Sequence, residues 1–365
     1  MIRIGCFLAL LFVVAATAAP DPDQNWEWNL PKGFPKPYVP ADNPMTSAKV
    51  ELGRYLFYDN RLSVNGKSSC ATCHKQALAF TDGLAVSVGT IGELHSRSAM
   101  SLVNVAYVGA LTWGNPSMKK LEDQALIPMF GEHPVELGLR EGDGTLPMVK
   151  SDSRYQRLFA RAFPDDAERF TVMNIGRAIA SFERSIISAR SPYDRYHYGG
   201  DDGAVPESAK RGEILFFNQH LSCFRCHGGF NFSDATISEN SAGRQIEFHN
   251  TGLYNQAGAL SYPAPNMGIY DYTKIAADVG KFRAPTLRNI AVTAPYMHDG
   301  SIATLEGVLD HYSAGGRGVG RDNPNKDPLI GGFSLSAQDR KDLIAFLESL
   351  TDEAVLHDPR FANPW

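Results

Sequence analysis

The chain has 365 residues, 43% of them hydrophobic and 21% charged, with a formal net charge of −5. This length predicts two domains, or one domain with a large elaboration, built around a buried core. The negative balance and the absence of any run of Lys and Arg exclude a nucleic-acid partner, whose phosphates demand concentrated positive charge.

The first segment carries Arg3, the apolar run "FLALLFVVAATA" and the small residues Ala16, Thr17 and Ala18. That order predicts a signal peptide over residues 1–18, cleaved after Ala18 and leaving no stable membrane anchor. The run is too short for a permanent span; a membrane-bound N-terminus is the alternative. Cys6 precedes the apolar run and is expected to leave with it. The expected location is the periplasm.

Four cysteines then remain, Cys70 and Cys73 in "SSCATCH" and Cys223 and Cys226 in "LSCFRCH". An exported chain favours disulfides, but a disulfide framework gives no reason for His74 and His227 to follow the pairs directly. C-x-x-C-H is the attachment signature of c-type haem: two thiols form thioethers and the adjacent imidazole is held under the iron. A zinc site or a redox dithiol followed by chance by His is the competing reading, although zinc normally takes a second ligand pair at matched spacing. Two covalently attached haems are the expectation.

The repetition extends further. "GRYLFYDNRLS" from Gly53 and "GEILFFNQHLS" from Gly212 align without a gap, each an aromatic-rich helix leading into a motif loop. Each unit also ends in an amphipathic helix: Val172, Ile175, Ile179, Phe182 and Ile186 recur at helical spacing, as do Leu343, Phe346, Leu347 and Leu350. Gly, Asp and Pro in "YGGDDGAVPES" mark a linker near residues 199–208. The predicted fold is mainly α: two cytochrome c-like domains, residues 19–200 and 201–365, each with one covalently attached c-type haem and with long ordered loops.

"CATCHKQALAFTDG", "RSAMSLVNVAYVGALTWGN", "LEDQALIPMFGEHPVELG" and "FRAPTLRNIAVTAPYMHDGSIATLEGVLDHY" together resemble the bacterial di-haem cytochrome c peroxidase and MauG superfamily, over nearly all of the mature chain. The resemblance implies an oxidoreductase acting on hydrogen peroxide, with the peroxide-reacting haem in residues 19–200 and a second, six-coordinate haem in residues 201–365. The peroxidases carry a distal His where this chain has Thr90; His95 lies nearby, either compensating or as a surface residue. The departure resembles MauG, whose first haem is five-coordinate without reductive activation. Tyr312 matches the position that is Met in the peroxidases and Tyr in MauG-like members, with Met297 as rival ligand to the second iron. Trp113 matches a tryptophan between the haems. Gln124, Pro128 and Glu136 match the distal groups of the first haem, with Glu136 as the acid that moves a proton between the peroxide oxygens. The interval to Glu136 is longer than in the family, which makes Glu132 a competitor. Asn104, Thr293 and Pro295 match a calcium site between the domains.

The resemblance supports three readings. In the first, peroxide produces a high-valent state shared by two haems, which oxidises a residue of a partner protein. In the second, a peroxidase draws electrons from a small cytochrome or cupredoxin. In the third, the chain only carries electrons. Thr90 and Tyr312 favour the first. "FHNTGLYN", "MFGEHPVELG" and "DPRFANPW" are further similar to the MauG-like enzymes of methanobactin clusters, which implies as partner a small exported copper-binding protein with a tryptophan converted to a kynurenine-type residue. The surface Trp by which MauG receives electrons is replaced here by Leu221, so the route from the partner must differ.

Overall fold

The computed structural model describes residues 23–140, 142–256 and 261–365; the expected leader at 1–18 lies outside them. Among the described residues the regular structure is helical, with β-pairing limited to isolated bridges. The helices run α1 Ser47–Phe57, α2 Cys70–Cys73, α3 Leu121–Gln124, α4 Leu126–Phe130, α5 Thr145–Ser151, α6 Ser153–Ala162, α7 Val172–Ser185, α8 Pro192–His197, α9 Glu207–Phe216, α10 Tyr270–Thr273, α11 Leu305–Ser313, α12 Ala337–Ser349 and α13 Glu353–His357. No described helix is long and apolar enough to cross a membrane.

The duplication seen in the sequence is a duplication of helix crossings. Helix α1 starts where the Thr46 hydroxyl accepts the Lys49 N–H, and α7 where Thr171 does the same for Asn174, each satisfying a backbone donor that the helix leaves orphaned. The two helices cross at Gly53, where a Cβ would run into the carbonyl oxygen of Ala178 and the side chain of Phe182. Helices α9 and α12 repeat the arrangement: Gly212 lies against the Asp342 carbonyl and Phe346. The glycine shared by the two repeats is therefore a close-approach residue. Around these crossings Leu52, Leu56 and Phe57 pack with Ile175, Ile179 and Phe182, and Phe216 packs with Leu343, Phe346 and Leu309. Each such side chain contributes about 1.5–3 kcal/mol by leaving water.

The helices expected around residues 172–186 and 343–350 are α7 and α12. Packing crosses the expected division at residue 200 at both ends. Val355, Leu356 and Phe361 pack into the first core, and Tyr193 of α8, before the linker, packs into the second. Gln76 donates to the carbonyls of Val355 (3.0 Å) and Asp358 (2.9 Å), tying the C-terminal segment to the loop that follows the first motif. A Gly- and Asp-rich stretch records where the chain is solvated; it does not record which core its flanks join.

Candidate functional site

In the first motif, Cys70 to Cys73 form the single turn α2, initiated by Ser69, whose N–H donates to the Thr72 hydroxyl at 2.9 Å. The chain then turns sharply through Ala79 and Phe80, both at positive φ. That turn brings the Phe80 carbonyl within 2.8 Å of His74 Nδ1. The carbonyl accepts a hydrogen bond from Nδ1–H, which keeps the proton on Nδ1 and leaves Nε2 with its lone pair, the tautomer a metal ligand requires. Burial pushes the pKa of His74 down and keeps the imidazole neutral.

The second motif is built in the same way. His227 Nδ1 lies 3.2 Å from the Phe232 carbonyl and 3.1 Å from that of Pro285, and burial lowers its pKa too. Phe232, like Phe80, adopts positive φ. Two thiols followed by a neutral imidazole with Nε2 available fit a covalently attached haem at both motifs. They fit zinc less well: the first motif has no accompanying ligand cluster among the described residues, and at the second the His249 beside Cys226 has both ring nitrogens held by Asp234 and Asp327.

One cavity joins the two halves. It is lined by residues 81–84, directly after the first motif, by Trp113, and by Cys223, Cys226 and His227 of the second. Trp113 is half-buried, its indole N–H donating to the Ser98 carbonyl at 2.9 Å. Tyr312, on the last turn of α11, also lines the cavity. Burial raises the Tyr312 phenol above its ordinary pKa, with the nearby Cys226 and Cys223 adding to the effect. A metal cation in the cavity is what would convert it to phenolate. Met297 lines the same cavity at a φ of 72°, with its carbonyl accepting from the Ser98 hydroxyl.

Around the first motif, α3 is fixed to α7 by Glu122, which pairs with Arg184 at 2.9 Å and accepts from Asn43 at 2.7 Å. This places Gln124, half-buried, at the end of α3 and Pro128 in the following turn. Glu136 is near enough to act electrostatically on both Cys70 and Cys73, and burial raises its carboxyl to about 7. Glu132 is exposed. Thr90 donates its N–H to the Glu136 carbonyl at 3.0 Å, and its hydroxyl pairs with that of Ser68.

Of the residues expected at a calcium site, Asn104 is buried and Thr293 and Pro295 are half-buried. Asn104 is fully buried, its side-chain oxygen accepting from Ser188 N–H at 2.8 Å while its amide donates to the Ser188 carbonyl and to Asn231. Thr293 and Pro295 line the cavity and Asn104 does not. Both polar atoms of the Asn104 side chain bond within the protein, and its oxygen keeps a second lone pair.

Sequence reading missed a charge cluster beside the second motif. His249 holds Asp327 on Nδ1 and Asp234 on Nε2, both at 2.6 Å, and Asp234 and His249 lie close to Cys226. These residues are far apart in the chain and leave no local signal; His249 was visible only inside "FHNTGLYN".

Two helical units, each offering a thiol pair and a neutral imidazole, with a shared cavity between them, define a two-haem c-type cytochrome. A family model described as di-haem cytochrome c peroxidase matches residues 47–202. The cytochrome-c peroxidase IdrP1 of a Pseudomonas sp. is 36% identical over 98% of this chain and 94% of its own. The methylamine utilization protein MauG of Methylorubrum extorquens is 33% identical over 93% and 89%. A solved MauG-like protein associated with microbial copper homeostasis superposes with a TM-score of 0.91 at 46% identity, covering 93% of this chain and all of the other. The chain belongs to the di-haem cytochrome c peroxidase and MauG family and is an oxidoreductase of that type.

Proposed function

We propose that the protein works in the periplasm, where it uses hydrogen peroxide to oxidise a tryptophan of a small copper-binding partner towards a kynurenine-type product. The carrying observation is the Tyr312 phenol, which shares one cavity with Trp113 and the Cys223, Cys226 and His227 motif. A phenolate is a hard anionic donor and supports oxidised iron better than a thioether does. The haems, when bound, take the two oxidising equivalents of one peroxide and pass them on singly.

The chain's own residues do the rest. Glu136, buried enough to hold or release a proton near neutral pH, moves the proton between the peroxide oxygens, with Gln124 and Pro128 shaping that side. Trp113 provides the aromatic station between the halves. Leu221 is buried and saturated, so the partner delivers electrons by another face. The copper association of the similar MauG-like structure points to the partner's chemistry. Membership of an enzyme family sets aside the reading as a simple electron carrier.

Met297 in the same cavity favours a second reading, a peroxidase that draws electrons from a small cytochrome or cupredoxin. Low-temperature electron paramagnetic resonance of the ferric protein, before and after one equivalent of peroxide, separates the two. Loss of distinct high-spin and low-spin signals without prior reduction supports the first. Two low-spin signals indifferent to peroxide, with turnover only after reduction, support the second.

A further inference from the structure

Arg283 is an anomaly of charge. It is 4% exposed, and its guanidinium reaches the Thr112 carbonyl at 3.3 Å, the Ala284 carbonyl at 3.3 Å and the Met100 sulfur at 3.2 Å. No carboxylate of the described residues stands within ion-pair distance of it. The other buried arginines behave differently: Arg288 forks onto both oxygens of Asp194 at 2.8 and 2.9 Å, and Arg184 pairs with Glu122. Asp234 acts on Arg283 electrostatically, but its carboxylate is clamped to His249. An unpaired buried charge is among the costliest features a fold can carry, so a counter-charge is expected in the cavity that Arg283 lines.

That cavity also holds Cys223, Cys226 and His227. A c-type haem bound there brings carboxylates of its own, its propionates, which are not consumed by the thioethers or the iron. We propose that Arg283 is the counter-ion of a propionate of the second haem, held for that purpose by its backbone. Its N–H donates to the Trp113 carbonyl at 2.9 Å, and the adjoining Phe282 exchanges backbone hydrogen bonds with His249 at 2.8 and 2.9 Å. The charge is thereby fixed both to Trp113 and to the cluster beside Cys226. Arg suits this role because its planar fork matches a carboxylate at two points. Burial lowers the guanidinium pKa to about 10, and a propionate would oppose that shift. The assignment rests on haem attachment at Cys223 and Cys226 and is independent of the partner's identity.

The test uses the haem-loaded protein and two variants, Arg283→Met and Arg283→Lys, with intact mass to verify that both haems are attached. The primary readout is the propionate-bending band in resonance Raman, which falls in frequency when a hydrogen bond to the propionate is lost. The second is the midpoint potential of the low-spin haem. Arg283→Met is expected to lower both, because removal of a positive charge favours the ferric state. Arg283→Lys, which keeps the charge and loses the fork, is expected to shift the Raman band while largely preserving the potential; it serves alone if the Met variant fails to fold. An unchanged propionate band in the haem-loaded variants, or a change confined to the high-spin haem, overturns the proposal. Loss of haem attachment at Cys223 and Cys226 in the unmodified protein would instead remove its premise, and mass mapping detects that separately.

Discussion

His95 Nε2 lies 3.6 Å from Glu136 Oε1, beside the first haem-attachment motif. The pair occupies the region where Thr90 replaces the expected distal histidine. His95 is kept at a lowered pKa by burial, and burial raises Glu136 to about 7, so a neutral imidazole faces a carboxyl that titrates near working pH. Among the carboxylates considered for proton transfer, Glu136 has the burial and the neighbours, whereas Glu132 is exposed.

Glu136→Gln is expected to slow reaction with peroxide by roughly 100- to 10,000-fold, the range for loss of a positioned acid–base group. Glu132→Gln should leave the rate within about threefold, as for surface changes away from such features. Stopped-flow mixing of the ferric protein with peroxide measures both. An unchanged rate in Glu136→Gln would move the assignment to Glu132.

The same carboxyl predicts a pH trend in stability. From about 4.5 to about 7 the unfolded chain has released this proton and the folded chain retains it, so the folded state binds more protons and stability falls as pH rises through that window. Above it the contribution is level. Thermal melts of wild type and Glu136→Gln across pH 4.5–7 should converge towards the acid end, and parallel curves would contradict the assignment.

Tyr312→His should leave both haems covalently attached, since Cys223 and Cys226 are untouched. With Tyr312 as the proposed ligand of the second iron, the variant would exchange an anionic oxygen donor for a neutral nitrogen, and should abolish the response of the low-spin signal to peroxide while the high-spin signal still reacts. A low-spin signal that still collapses on addition of peroxide would move the ligand role to Met297.

Gly212→Ala places a methyl group against the Asp342 carbonyl and Phe346, where backbone cannot yield easily. The expected cost is about 1–3 kcal/mol, in the range for overpacking, read as a lower melting temperature with unchanged haem content. Gly53→Ala should behave alike against Ala178. A neutral outcome for both would mean that the crossings can separate.

What the sequence by itself determined was whatever is local or repeated. Cys70, Cys73 and His74, with Cys223, Cys226 and His227, announce their chemistry by adjacency, because thioether attachment and axial ligation must come from one short loop. Periodic Ile, Leu and Phe marked α7 and α12 because a helix buries one face. The resemblance added Trp113, Tyr312, Glu136 and Asn104 as expectations, and the structure places the Asn104 amide against Ser188 and Asn231. Only the tertiary structure showed Glu136 half-buried and Glu132 exposed, packed Val355 and Phe361 into the first core, and joined Asp234, His249 and Asp327 into one cluster. It alone revealed Arg283 as a buried charge with no carboxylate within ion-pair distance among the described residues. Burial and ion pairing are sums over segments distant in the chain, and no single segment carries a signal for them.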